Sequence, residues 1–381
     1  MSFASLGLHP ELLSAIAEQP EYKRPYPIQS KVIPAVLKGR DVIAIARTGS
    51  GKTASFILPL LQLIHCRDAG ERRRLSALIL VPTRELAAQI EEVAKQLGGH
   101  LKPRVKTGAV FGGVAINPQM ILLKGIELLI ATPGRLIELV AQNSVQLSSV
   151  ATLVLDEADR LYAEDFQEEL QQILALLPSK RQNLLFSATF PPEVERLAAS
   201  LLTDPMRIEI EATATEAQLI TQQIYLVDSS RKGPLLRYLI KSGDWKQVLV
   251  FASSQKRADN VTRKLVANGI SASTFHSGMS QGGRTSALAR FKSGELRVLV
   301  ATDLASRGID VQYLPHVVNY ELPRSPIDYQ HRIGRTGRAE TAGVAVTLLC
   351  PEDLAHFKVI EKRLGQRLPR IDTAELDLSA Y

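Results

Sequence analysis

Short apolar runs recur along the chain at intervals that a helix would fill. Val42–Ile45, Leu78–Val81, Leu128–Ala131, Leu153–Leu155 and Leu184–Phe186 form a first set. Val248–Phe251, Ser273–Phe275, Val298–Ala301, Val317–Asn319 and Val344–Leu348 form a second. Runs this short that are apolar on both faces, alternating with helical stretches, predict parallel sheets covered by helices on both sides. The pattern therefore predicts an α/β chain with two such sheets in tandem. Between them, Glu209 to Ala217 is small, polar and acidic without apolar periodicity, as an interdomain linker would be. The expected domains are residues 1–210 and 220–370, joined by a linker over 211–219 and followed by a short tail over 371–381. Pro10 and Glu11 open a short helix with Leu12, Leu13 and Ile16 on one face. A last helix is predicted from about Glu352 to Leu364, with Gly365 just past its end.

In a parallel sheet, ligands bind beyond the C-terminal strand ends. Polar clusters stand there: Pro82–Glu85, Thr132–Arg135, Asp156–Asp159 and Ser187–Thr189. The first strand runs into Ala46-Arg47-Thr48-Gly49-Ser50-Gly51-Lys52-Thr53 and then a helix. A glycine turn between strand and helix lets backbone N–H groups close around phosphate oxygens, and the helix N-terminus adds positive potential. Lys52 is placed to reach the β- and γ-phosphates and Thr53 to ligate Mg²⁺. Ala46 departs from the general pattern, which begins with glycine. Asp156, at the end of a hydrophobic strand in such a protein, holds Mg²⁺, and Glu157 orients the attacking water. Upstream, Tyr22 and Gln29 suit adenine, because a carboxamide pairs with N6 and N7 while the ring stacks. The second half has no Gly-Lys-Thr loop. It carries Arg307-Gly308-Ile309-Asp310 and His331-Arg332-Ile333-Gly334-Arg335-Thr336-Gly337-Arg338, where guanidinium forks suit phosphate.

The composition changes this picture little. At 45% hydrophobic and 22% charged residues, the 381-residue chain has the balance of a globular protein. A net charge of +7 permits a polyanionic partner. Cys66 and Cys350 lie far apart without metal-ligand spacing, which fits a reducing compartment. The N-terminus lacks a signal-peptide pattern, and no apolar run is long enough to span a bilayer, so a cytoplasmic protein without membrane contact is expected.

With these motifs in order, the chain resembles the DEAD-box ATP-dependent RNA helicases over nearly its whole length. The four residues that name that family stand at Asp156-Glu157-Ala158-Asp159. Its brevity is similar to that of bacterial members of the RhlE type. The resemblance implies two RecA-like domains with a cleft between them that close over ATP and single-stranded RNA. It implies that Phe3, Tyr22 and Gln29 recognise adenine, and that Thr48, Gly49, Ser50, Gly51, Lys52 and Thr53 hold the phosphates. Asp156 would hold Mg²⁺ through water, Glu157 would position the hydrolytic water, and Asp310, in the turn with Gly308, would contact the ribose. Arg335 and Arg338 would reach the γ-phosphate, while Ser187 and Thr189, with Asp159, would couple the box to closure. RNA would be held by Arg84, Gly112, Gly113, Thr132 and Arg135 in the first domain, and by Ser253, Gln281, Arg284 and Thr302 in the second.

Two departures from the family pattern bear on the site: Tyr26 replaces a small hydroxyl residue, and Ser254-Gln255 stands where many members have Thr-Lys. Only 5% of residues are aromatic, and the RNA edge consists of Gly, Thr, Ser and Arg. Those groups meet phosphates and 2′-hydroxyls rather than splayed bases, which predicts binding without sequence preference. The expected protein is a monomeric helicase that unwinds short RNA duplexes, with partners in ribonucleoprotein or RNA-decay assemblies. A DNA translocase on the same scaffold and an ATP-gated RNA clamp are the alternatives.

Overall fold

The computed structural model describes residues 2–46, 49–67, 73–162, 166–210, 220–303, 314–337, 343–379 and 381. The chain divides into two compact units, Met1–Glu211 and Ala212–Tyr381.

In the first unit, β1 (Val42–Ala46), β2 (Ala77–Leu80), β3 (Thr107–Val110), β4 (Leu128–Ala131), β5 (Thr152–Leu155), β6 (Gln182–Ser187) and β7 (Met206–Ile210) form one sheet. Its order is β3-β4-β2-β5-β6-β1-β7, with every pairing parallel. Successive side chains of β1 go to opposite faces, as a pleated strand requires. Val42, Ala44 and Ala46 join a core with α1 (Pro10–Ala17), α2 (Pro27–Leu37), α3 (Lys52–His65) and α4 (Arg84–Leu97). Ile43 and Ile45 join another with α6 (Pro133–Ala141), α8 (Gln167–Leu176) and α9 (Pro192–Leu201). The short α5 (Ile116–Leu122) and α7 (Ala158–Leu161) complete the described α-helices of the unit. In α4 the Thr83 hydroxyl accepts the Leu86 N–H at 3.3 Å, capping the helix, and Leu86, Ala87, Ile90, Ala94 and Leu97 face inward.

The second unit repeats the plan. Its strands are β8 (Ile220–Leu226), β9 (Val248–Ala252), β10 (Ala272–Phe275), β11 (Val298–Thr302), β12 (His316–Asn319), β13 (Gly343–Leu349) and β14 (Arg370–Asp372). They lie in the order β10-β11-β9-β12-β13-β8-β14, which is the first order shifted by seven strands. Each strand of one unit therefore has a counterpart in the other. The helices are α10 (Lys232–Ser242), α11 (Gln255–Ala267), α12 (Gln281–Lys292), α13 (Pro326–Ile333) and α14 (Leu354–Leu364). Val248 and Val250 pack with α10 and α11, while Leu249 and Phe251 pack with α12.

Glu209 and Ile210, read as the start of the linker, belong to β7, and residues 211–219 lie outside the described residues. The segment after Arg370 joins the core of the second unit: β14 pairs with β8, Leu378 belongs to the core that holds Leu235 and Val248, Leu376 packs against that core, and Tyr381 meets Tyr238 edge-on. No helix among the described residues is long and apolar enough to cross a membrane.

Candidate active site

The C-terminal edge of the first sheet carries two groups of side chains, one on each half. The turns after β1, β5 and β6, which are adjacent strands, bring together the phosphate loop, the acidic box and Ser187–Thr189. The turns after β3, β4 and β2, adjacent on the other half, bring together Gly112, Gly113, Thr132, Arg135 and Arg84.

On the first half, Gly49 and Gly51 have φ of 82° and 85°, left-handed values that glycine adopts without strain. Gly51 leads into α3, where Lys52 is buried and donates its Nζ to the Ala46 carbonyl at 2.6 Å. Thr53 follows on the first turn of α3, and Ser50 lies in the turn before it. Asp156 is almost fully buried and accepts the Glu157 N–H at 2.9 Å. Burial pushes its carboxyl up to about 6, against the attraction of Lys52 and with added repulsion from Glu157 and Asp159. Glu157 sits at φ 53°, a left-handed conformation that costs a non-glycine residue about 1 kcal/mol or more and is common at functional sites. Asp159 is held from two directions: its N–H donates to Ser187 Oγ at 3.3 Å, and its Oδ2 accepts the Thr189 hydroxyl at 2.6 Å.

The upstream loop closes on this group. Gln29 is fully buried; its Oε1 accepts the Tyr26 N–H at 2.9 Å, and its Nε2 donates to the Gly51 carbonyl at 3.1 Å. The Tyr26 ring also lies against Gly51, 2.9 Å from where a Cβ would stand, so the unusual Tyr26 covers the phosphate loop. Phe3 and Tyr22 meet edge-on with ring centroids 6.2 Å apart.

On the other half, the Arg84 guanidinium occupies the space beside Gly113, whose φ of 75° and missing side chain both make room for it. Arg135 is buried and donates to Glu138 Oε2 at 2.8 Å and to the Val114 carbonyl at 3.0 Å. Its remaining terminal nitrogen is buried without a hydrogen-bond partner. Thr132 is buried at the start of α6, its N–H bonded to the Val110 carbonyl at 3.1 Å.

In the second unit, Ser253 follows β9, Thr302 ends β11, and Gln281 and Arg284 open α12 after β10. These are the counterparts of β2, β4 and β3, so the expected RNA residues occupy corresponding halves of the two sheets. Arg284 is buried over the Phe275 ring at 5.0 Å. Gln255, one of the departures, donates to Ser277 Oγ at 3.0 Å, and Ser254 caps α11. Arg335 is buried just after α13. Thr48, Gly308, Asp310 and Arg338 lie outside the described residues.

Several residues of this unit were not assigned roles from the sequence. Arg332, 2% exposed, donates to both oxygens of Asp303 at 2.6 and 2.7 Å and to Asn319 Oδ1 at 3.0 Å. Glu321 accepts from the Ser253 N–H at 2.7 Å, from the Ser253 hydroxyl, and from Arg257 Nε at 2.7 Å. Burial alone would raise the Glu321 carboxyl; the bonds from Ser253 and Arg257 outweigh it and hold the group below its ordinary range. Lys232 opens α10 after β8 as Lys52 opens α3 after β1, but no glycine turn precedes it. The strand-for-strand repeat is the signal that would have singled out Glu321 and Lys232.

A phosphate loop, an acidic box and a coupled Ser-Ala-Thr turn on one edge of a RecA-like sheet, followed by a second sheet of the same order, define a two-domain nucleic-acid-stimulated NTPase. The chain belongs to the DEAD-box family of ATP-dependent RNA helicases. Residues 26–197 match the DEAD/DEAH box helicase family and residues 231–340 the helicase conserved C-terminal domain. The chain is 39% identical over 369 residues to the ATP-dependent RNA helicase CshA of Limosilactobacillus reuteri, covering 97% of this chain and 73% of that protein. It is 38% identical to the DEAD-box ATP-dependent RNA helicase RhpA of Helicobacter pylori, covering 96% and 73%. Among solved structures, S. cerevisiae Dbp5 bound to RNA and ADP BeF3 is similar with a TM-score of 0.86 at 29% identity, covering 100% of this chain and 97% of that one. Mss116p bound to ssRNA and AMP-PNP gives 0.89 at 27%, covering 99% and 79%.

Proposed function

We propose that this protein hydrolyses ATP when RNA is bound and uses the cycle to open short RNA duplexes without reading their sequence. The observation that carries the reading is the divided edge of the first sheet, with phosphate and carboxylate chemistry on one half and Arg, Gly and Thr on the other. Lys52 exchanges the Ala46 carbonyl for phosphate oxygens, and Gln29 and Tyr22 select adenine. Asp156 suits Mg²⁺: it is a buried carboxylate whose proton affinity is already raised, so a divalent cation replaces the missing solvation. Asp156 and Thr53 would hold Mg²⁺, which would supply positive charge to the nucleotide's phosphates. Glu157 orients water, and the Asp159–Ser187–Thr189 bonds transmit the state of the box. Arg335 and Arg338 of the second unit supply the charge that the γ-phosphate gathers during transfer. Residues 1–210 are the ATP-binding helicase domain, 211–219 a linker and 220–370 the second helicase domain.

Arg84, Arg135, Thr132, Gly112 and Gly113, with Ser253, Gln281, Arg284 and Thr302, grip the RNA backbone. A cytoplasmic monomer working in ribonucleoprotein or RNA-decay assemblies fits this reading, as does kinship with the RhlE-type branch.

The test is ATP hydrolysis by the full chain with RNA and with DNA of matching sequence. RNA is expected to stimulate and DNA not to; equal stimulation assigns the protein to DNA translocation. Arg335→Ala is expected to lower RNA-stimulated turnover by roughly 10³-fold or more, as for other arginines that meet a transferring phosphoryl group, while ATP affinity changes far less.

A further inference from the structure

We propose that His9, Glu11 and His65 form a binding site for one divalent transition-metal ion of the zinc class. It lies at the end of α3 remote from Lys52. One ligand atom from each of the three residues falls within 4.8 Å of the other two. Glu11 Oε2 stands 3.4 Å from His65 Nε2 and 4.0 Å from His9 Nδ1. The imidazoles meet edge-on, with centroids 5.1 Å apart and planes at 70°.

Two imidazoles and a carboxylate are the donor set of a zinc-type site with an open position, where metal–ligand bonds of about 2.0–2.2 Å place ligand atoms about 3.3 Å apart. The His65–Glu11 pair already has that separation. His9 Nδ1, 4.0 Å from the same oxygen, has to move inward to reach it and gives up the long 3.4 Å bond that it accepts from the Glu11 N–H. His65 is nine-tenths buried while His9 and Glu11 are about one-third exposed, which leaves a side open for water as a fourth ligand. The His65 Nδ1 is buried without a hydrogen-bond partner.

The scaffold around the three residues is built. His9 donates its N–H to Gln62 Oε1 at 2.7 Å, and Gln62 Nε2 donates to the Gly7 carbonyl at 2.9 Å. Gln62 lies on α3 one turn before His65, so the loop that carries His9 is fixed to the helix that carries His65. Glu11 Oε2 also accepts the Lys102 N–H at 3.2 Å, an orienting contact of the kind that ligating carboxylates have. An ion pair alone explains less of this. An ion pair needs only one imidazole, whereas both rings are turned to Glu11 Oε2. A divalent ion engages all three groups at once.

A bound ion would staple the segment carrying Phe3 and Leu8 to the phosphate-loop helix. Its effect is therefore expected on the stability of the N-terminal segment.

The experiment uses the full chain stripped of metal. Co²⁺ is titrated while visible absorption is followed, and thermal melting and amide hydrogen exchange are measured with and without Zn²⁺. The variants His65→Gln, Glu11→Gln and His9→Asn are compared; asparagine preserves the helix cap. The expected result is one Co²⁺ per chain with intense tetrahedral bands, a Zn²⁺-dependent rise in melting temperature, and slower exchange within Phe3–Ile16. Each variant should melt cooperatively without metal and lose the Zn²⁺ response. Weak octahedral bands, or a Zn²⁺ response that survives both histidine substitutions, mean adventitious binding at the other histidines and overturn the proposal.

Discussion

Gln29 donates its side-chain Nε2 to the backbone carbonyl of Gly51 at 3.1 Å, joining the first turn of α2 to the phosphate loop. The same carboxamide caps α2 through the Tyr26 N–H. A residue expected to read adenine is thus also the brace of the loop that receives the phosphates. Gln29→Ala removes two partly buried hydrogen bonds, each worth about 1 kcal/mol net. It is expected to lower the melting temperature and to narrow the preference for ATP over GTP. Binding of both nucleotides and thermal melting check this; unchanged melting would show that the brace bears no strain.

Asp156 governs a pH dependence whose sign follows from burial. Its folded carboxyl is raised from 3.8 to about 6, so between those values the folded chain holds a proton that the unfolded chain has lost. Stability from this group is greatest below about 3.8 and declines as pH rises through about 6. Asp156→Asn is therefore expected to stabilise the nucleotide-free, metal-free protein at pH 7.5, by about 1–3 kcal/mol. The gain should shrink as pH falls toward 4. Denaturant melts of both proteins with chelator across that range test it, and a gain independent of pH would contradict it.

The Thr189–Asp159 bond of 2.6 Å predicts a separation of functions. Thr189→Val keeps the shape and removes the donor. ATP affinity is expected to change by less than about threefold, while unwinding per ATP hydrolysed falls by about tenfold or more. Parallel measurements of hydrolysis and duplex separation decide it. Equal losses in both would mean that the bond serves the chemistry and not the coupling.

Arg332 is the fixed point of the second unit. Its fork meets Asp303 with two bonds, and its guanidinium carbon lies over the Phe251 ring, 4.9 Å from the centroid. Lysine keeps the charge but cannot reproduce the fork or the stacking. Arg332→Lys is expected to destabilise the protein by about 2–4 kcal/mol, somewhat less than removing a buried partner outright. Thermal or urea unfolding reads this directly; a change below about 0.5 kcal/mol would show the network to be redundant.

The central strands were legible because they are buried on both faces and read as unbroken apolar runs. The edges were not. In β7 only Ile208 is buried, so Met206–Ile210 alternates. β8 carries Gln222 and Gln223 inside its paired length, and the Gln222 side chain accepts the Tyr329 hydroxyl at 3.0 Å. In β3, Gly108 is a strand residue because Leu122 and Ile126 fill the space of a side chain, which propensity does not convey.

The sequence by itself determined the chemistry: glycines that permit positive φ, a lysine at a helix start, paired carboxylates at a strand end and arginines in glycine-flexed turns are local features. It determined the α/β class as well, because the period of burial is written along the chain. Only the tertiary structure decided which of these features meet. The order β3-β4-β2-β5-β6-β1-β7 sets Asp156 beside Lys52 and Asp159 beside Ser187, and places Arg84 with Gly113 on the other half of the edge. It also decided what each group is bonded to: Lys52 to Ala46, Gln29 to Gly51 and Ser253 to Glu321. The physical reason is range. Backbone conformation and periodicity are set by neighbours in sequence, whereas strand order and side-chain pairing are set by which distant surfaces bury each other best.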